Sequence, residues 1–220
     1  MQMIAKDSAR DRRVKGYYFI TDSKLSRAGN ASDVQHAVTC GVEVVQYRAK
    51  SAETREMYEE AVLLRDICRD CLFLINDRVD IALATDADGV HLGQSDMPCT
   101  AARKLLGPEK IIGVTVHSLA EALQAERIGA DYLGVSPIFR TTTKPDAGKP
   151  AGIRLIEEIR DRVEIPLIAI GGINHSNAGE VVKAGADGLC AISCVVAKEN
   201  VKDEIRKLQD IFRAEYPGRA

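Results

Sequence analysis

Short runs of β-branched and aliphatic residues alternate with longer stretches of helical periodicity along almost the whole chain, after a polar N-terminal segment. The apolar runs predict eight strands: 17–20, 43–47, 71–75, 89–92, 111–114, 132–135, 167–170 and 188–192. A helix is predicted after each. The clearest are 52–69 and 201–212, and the segment 118–128 opens with the capping-box pair Ser118 and Glu121. A small-residue and Asp signature precedes the even strands as Ala87-Asp88-Gly89, Gly129-Ala130-Asp131 and Gly185-Ala186-Asp187-Gly188, with Gly41-Val42-Glu43 as a degraded copy. Each step between copies accommodates two βα units.

An eightfold βα alternation can form an open doubly wound sheet or a closed barrel. Polar or glycine residues follow nearly every predicted strand, whereas the loops entering the strands are mostly small residues suited to tight turns. An open sheet would concentrate chemistry at one switch point, so the distribution favours a single-domain (β/α)8 TIM barrel with its chemistry at the C-terminal face. The boundaries that follow are a polar extension over 1–16 and a catalytic barrel over 17–220. No linker interrupts the alternation.

Composition narrows the function classes. The chain has 220 residues, 45% of them hydrophobic, and 30 basic residues nearly cancel 32 acidic ones. A net charge of -2 gives no general reason to expect a nucleic-acid or membrane partner, so any charge-based recognition is local. No apolar run approaches the roughly 20 residues that span a bilayer, and no secretory segment is visible at the N-terminus, which makes the cytoplasm the expected location. The six cysteines are expected to be thiols, with Cys68 and Cys71 as packing residues rather than a zinc or redox pair. A homo-oligomer is left open.

Candidate chemistry sits at the strand ends. Gln46, Arg48 and Lys50 alternate and so project to one side of an extended segment, where two cations and an amide would suit a diphosphate. Asn76-Asp77 ends one strand and Asp96 follows the next, so the two carboxylates are expected to lie close. Oxygen-only ligands favour Mg²⁺; the plainer alternative is that both aspartates cap the following helices. Thr141, Thr143 and Lys144 lie in a long loop over 136–152, a length that is usually functional. Gly171-Gly172 follows the seventh strand and Ile192-Ser193 ends the eighth, the positions from which barrels commonly bind phosphate. His117, just past the fifth strand with Thr115 two residues earlier, is the one histidine considered for proton transfer, while His91 is expected to be packed or hydrogen-bonded within a strand.

The segments Val45-Gln-Tyr-Arg-Ala-Lys50, Ile75-Asn-Asp77, His91-Leu-Gly-Gln-Ser-Asp96, Gly113-Val-Thr-Val-His117, Thr141-Thr-Thr-Lys144, Ile170-Gly-Gly-Ile173 and Ile192-Ser193 together resemble the thiamin-phosphate synthase family over 17–197. The resemblance implies a Mg²⁺-dependent transferase that joins a hydroxymethylpyrimidine diphosphate to a thiazole phosphate, releasing diphosphate. It implies that Gln46, Arg48, Lys50, Asn76, Thr115 and Lys144 hold the pyrimidine diphosphate, with Arg48, Lys50 and Lys144 acting on the leaving group. Asp77 and Asp96 would bind the metal, and Thr141, Thr143, Gly172, Ile192 and Ser193 the thiazole phosphate. Thr115 stands where the family is expected to have serine, and Arg140 where proline or tyrosine is expected. Two other readings are a thiazole tautomerase working through His117 and a non-catalytic phosphate-ligand binding protein.

Overall fold

The computed structural model describes residues 14–143 and 148–216. Eight parallel strands close into a barrel in chain order: β1 (Gly16–Ile20), β2 (Val44–Tyr47), β3 (Leu72–Asn76), β4 (Gly89–Leu92), β5 (Ile111–Val116), β6 (Tyr132–Val135), β7 (Leu167–Ile170) and β8 (Gly188–Cys190). The seam is made by β8 against β1, with Gly16 opposite Gly188 and Tyr17 opposite Leu189. The helices that follow are α1 (Asn30–Thr39), α2 (Thr54–Ile67), α3 (Val79–Ala84), α4 (Cys99–Leu106), α5 (Leu119–Arg127), α6 (Ile153–Arg160) and α7 (Ala178–Lys183), then α8 (Ser193–Val196) and α9 (Val201–Glu215). All eight predicted strands form. The main differences are an eighth strand that stops at Cys190, because Ile192 adopts a helical conformation leading into the unpredicted short helix α8, and a fifth strand that runs on to Val116.

Period-2 alternation divides the strand residues into two cores. Tyr17, Phe19, Val45, Tyr47, Phe73, Ile75, Val90, Ile112 and Leu133 pack outward under the helices. Tyr18, Ile20, Val44, Leu72, Leu74, Ile111, Tyr132, Ile168 and Cys190 fill a smaller cluster inside the barrel. Along β2, β3 and β5 the inward positions change from apolar to polar toward the C-terminal end: Val44 gives way to Gln46, Leu74 to Asn76 and Ile111, past Gly113, to Thr115. The barrel is therefore plugged at one end and polar at the other.

The repeated Asp signature proves to be a clamp at the N-terminal end. Asp88, Asp131 and Asp187 each accept a backbone N–H from the preceding odd-numbered strand, from Phe73, Ile112 and Leu167 respectively. Each is also held by an arginine of the helix that precedes that odd-numbered strand: Arg65 of α2 at 2.8 Å, Arg103 of α4 at 2.5 Å and Arg160 of α6 at 2.9 Å. At Ser118, the capping side chain accepts from Glu121 N as predicted, while the Glu121 carboxylate receives the N–H of His117 rather than that of Ser118. Cys68 and Cys71 are buried in the core with their side chains in contact. Among the described residues no helix is long and apolar enough to cross a membrane.

Candidate active site

The polar end of the barrel opens into a cavity of about 280 Å³. Gln46, Arg48, Lys50, Asn76, Asp77, Asp96, Thr115, Thr141, Thr143, Gly172, Ile192 and Ser193 all border it, as does His117. Residues separated by more than a hundred positions in the chain thus meet at one mouth, because successive parallel strands deliver their C-terminal ends to the same face. Lys144, the remaining cation expected here, lies outside the described residues, as does most of the polar extension.

Arg48 is placed by its own backbone. Its N–H donates to Thr21 Oγ1 at 2.8 Å, and the Thr21 hydroxyl returns a bond to the Arg48 carbonyl at 3.3 Å. Its guanidinium meets Asp22 at 3.4 Å, with 17% of the side chain exposed. Asp22 and Thr21 were not anticipated from the sequence; they follow β1, whose end carries no charge-rich motif. Lys50 reaches across to Asp77, Nζ to Oδ2 at 2.6 Å, and is about half exposed.

The two carboxylates come together as expected, and neither caps the helix after it. Asp77 has φ 63°, a left-handed conformation that aspartate tolerates better than most residues. Asp96 accepts the N–H of Gly93 at 2.7 Å. Burial, then contact with the Asp77 side chain, holds the Asp96 carboxyl above its ordinary range. Among the described residues no group of three or more His, Cys, Asp or Glu gathers as metal ligands. A pair of carboxylates with open positions is a donor set suited to a hard cation that draws its other ligands from water and a bound anion.

The far wall is built by β6, β7 and β8. Gly171 and Gly172 have φ values of 101° and 65°, and a Cβ on Gly172 would lie 2.5 Å from the Arg140 carbonyl oxygen. The pair is thus required by backbone conformation and by the close approach of the threonine loop, whose Phe139 N–H donates to Gly171 O at 2.9 Å. Within that loop the Thr143 N–H donates to Thr141 Oγ1. His117 donates from Nδ1 to the Ser136 carbonyl at 2.5 Å, so that in the neutral ring Nε2 is the acceptor. His91, Tyr18 and Tyr132 form the floor, and only the hydrogen-bonded character of His91 was foreseen. Their signal in the sequence was their inward parity within otherwise apolar strands.

A closed (β/α)8 barrel with cations, paired carboxylates, a threonine loop and a glycine turn around one mouth defines a barrel protein equipped for phosphorylated small molecules. A family profile described as thiamine monophosphate synthase matches residues 17–195. The chain belongs to that family. It is 52% identical over 198 residues to thiamine-phosphate synthase of Methanosarcina mazei, spanning 90% of this chain and 82% of that protein. To the Chloroflexus aurantiacus thiamine-phosphate synthase it is 53% identical over 195 residues, covering 87% and 90%. Among solved structures, thiamine phosphate pyrophosphorylase from Pyrococcus furiosus superposes with a TM-score of 0.84 at 45% identity, covering 90% of this chain and 96% of that one.

Proposed function

We infer that the protein is a thiamin-phosphate synthase, a transferase that condenses 4-amino-2-methyl-5-(diphosphooxymethyl)pyrimidine with 4-methyl-5-(2-phosphooxyethyl)thiazole to give thiamin phosphate and diphosphate. The observation that carries the reading is the meeting of Arg48, Lys50, Asp77 and Asp96 at one cavity in a chain of this family. Asp77 and Asp96 fit Mg²⁺, being oxygen ligands in contact with each other beside Lys50. When bound there, Mg²⁺ supplies charge neutralisation for a departing diphosphate.

Arg48 and Lys50, with Lys144 from the threonine loop, hold the diphosphate and offset the negative charge that grows as its bond to the pyrimidine methylene breaks. One cation near 4 Å contributes about 4 kcal/mol at an effective dielectric of 20, before desolvation is subtracted. The Thr21 clasp fixes the Arg48 backbone, and Asp22 holds its guanidinium at the mouth in advance. Gln46, Asn76 and Thr115 seat the pyrimidine. Thr141 and Thr143 offer hydroxyls, and Gly172, Ile192 and Ser193 offer backbone groups, to the thiazole phosphate on the opposite wall. Holding the two rings face to face lets the thiazole nitrogen capture the activated methylene carbon.

The test is incubation of purified protein with both substrates and Mg²⁺, with and without chelator, followed by detection of thiamin phosphate and diphosphate. Product formation that chelator abolishes supports the reading. Failure to form product overturns it. A tautomerase working through His117 would act on the thiazole phosphate alone and in the presence of chelator, so the same experiment separates the two.

A further inference from the structure

Below the charged mouth, five side chains from five strands form one hydrogen-bonded chain across the cavity floor. Gln46 of β2 donates from Nε2 to the Tyr18 hydroxyl of β1 at 2.8 Å. The Tyr18 and Tyr132 hydroxyls are 2.7 Å apart, linking β1 to β6. Tyr132 meets His91 Nδ1 of β4 at 2.8 Å, and His91 Nε2 meets Thr115 Oγ1 of β5, also at 2.8 Å. Two glycines clear its path: a Cβ on Gly113 would lie 2.1 Å from the Tyr132 ring, and one on Gly134 would lie 2.8 Å from His91 Cε1. No part of it belongs to the phosphate-facing groups already described, except its two ends.

Such a chain has a direction. Burial pushes both phenols far above their ordinary range, so each keeps its proton. With the Gln46 amide donating at one end, the ordering that leaves no buried phenol hydrogen without an acceptor has Tyr18 pass its hydrogen to Tyr132, and Tyr132 its own to His91 Nδ1. The imidazole proton then sits on Nε2 and points at Thr115 Oγ1. Among the described residues two functions are left unspent, both on side chains that line the cavity: the Gln46 Oε1 acceptor and the Thr115 hydroxyl hydrogen. Reversing the chain would exchange them, turning the Gln46 end into a donor and the Thr115 end into an acceptor.

We propose that the Tyr18–Tyr132–His91 relay, with His91 as its Nε2–H tautomer, sets the hydrogen-bond polarity with which Gln46 and Thr115 read the heterocycle, selecting an amino- over an oxo-substituted pyrimidine. An amino group is a donor that matches the Gln46 acceptor, and an unprotonated ring nitrogen is an acceptor that matches the Thr115 donor. An oxo group in place of the amino group puts an acceptor against an acceptor and leaves a buried amide oxygen unpaired. His91, Tyr18 and Tyr132 are positioning residues in this scheme. The substrate half rests on the pyrimidine diphosphate reading above; the tautomer half does not.

The first measurement is side-chain ¹⁵N NMR of the full-length protein without substrate, the His91 signal being assigned by its loss in His91→Gln. The expected result is the Nε2–H tautomer between about pH 6 and 8. An Nδ1–H tautomer, or an imidazolium, overturns the relay. The second is steady-state kinetics of Tyr132→Phe, which cuts the chain, with Thr115→Val as an independent break and Thr115→Ser as the variant that keeps the hydroxyl. Either break is expected to raise KM for the pyrimidine diphosphate about tenfold, leave KM for the thiazole phosphate unchanged, and shrink the preference for the 4-amino over the 4-oxo pyrimidine diphosphate about tenfold. Thr115→Ser is expected to retain that preference. Equal changes in both KM values, or an unaltered preference, overturn the proposal. If the wild-type protein makes no thiamin phosphate, the substrate half fails, and the tautomer measurement alone decides the relay.

Discussion

Asp77 combines a left-handed backbone, a neighbouring carboxylate and a lysine at 2.6 Å, and these oppose one another in the protein without metal. Asn accepts the same φ and carries no charge, so Asp77→Asn is expected to leave the thermal midpoint within a few degrees of wild type while lowering turnover about a hundredfold or more. Paired melting scans and two-substrate assays check both halves. Asp96→Ala is expected to behave alike, because the Asp96 carboxylate accepts the Gly93 N–H at a loop and otherwise meets the like-charged Asp77 side chain.

A different carboxylate illustrates the cost of burial away from the site. Asp33 of α1 is 1% exposed, and among the described residues neither of its oxygens has a hydrogen bond of good geometry. Burial holds its carboxyl above the ordinary range despite the Ser26 hydroxyl and His36 nearby. A carboxyl whose folded pKa is raised binds its proton more tightly folded than unfolded, so ionisation destabilises the fold as pH rises from about 4 upward. Asp33→Asn should therefore raise the melting temperature at pH 7 by about 2–4 °C, with the gain fading as pH falls to about 4. Thermal scans across that range would show it.

The elements are tied together by a device that repeats with them. Asp88, Asp131 and Asp187 sit at equivalent places, each bonding one backbone N–H and one arginine at the end of the barrel away from the cavity. Replacing Asp131 by Ala strands the Ile112 N–H and takes the carboxylate from Arg103, whose guanidinium keeps the Gly107, Lys110 and Gly129 carbonyls, at an expected cost of about 2 kcal/mol, with KM for both substrates unchanged. Urea unfolding and kinetics on the same preparation test the separation of the two ends. The signature was visible in the sequence as a small-residue repeat, but the clamp was not, because the arginines lie in helices at no fixed spacing from their partners. On the opposite end, Gly172→Ala would put a methyl 2.5 Å from the Arg140 carbonyl and require left-handed backbone of alanine. It is expected to displace the threonine loop and raise KM for the thiazole phosphate about tenfold, more than it raises KM for the pyrimidine.

For the whole molecule, the barrel and its cavity are separable in stability. The inner and outer cores contain none of the charged groups at the mouth, although Tyr18 and Tyr132 of the inner core reach the cavity floor. Chelation is accordingly expected to abolish turnover and leave the circular dichroism spectrum unchanged, with activity restored by added Mg²⁺. Loss of the spectrum on chelation would instead assign the metal a structural role.

Strand parity and helix periodicity are local properties, so the sequence alone determined eight βα units, their order and, within a few residues, their limits. The motif residues at the strand ends were legible for the same reason: parallel strands in sequence order send their C-terminal ends to one face whatever the details of packing. Tertiary structure decided what depends on distance between strands that are remote in the chain. That includes the pairing of Arg48 with Asp22 and the joining of Gln46, Tyr18, Tyr132, His91 and Thr115 into one chain, whose two tyrosines look like ordinary inward-facing strand residues when read singly. Barrel closure brings β1 and β6 within reach across the axis, and Gly113 of the intervening β5 lets Tyr132 of β6 reach over to His91 of β4.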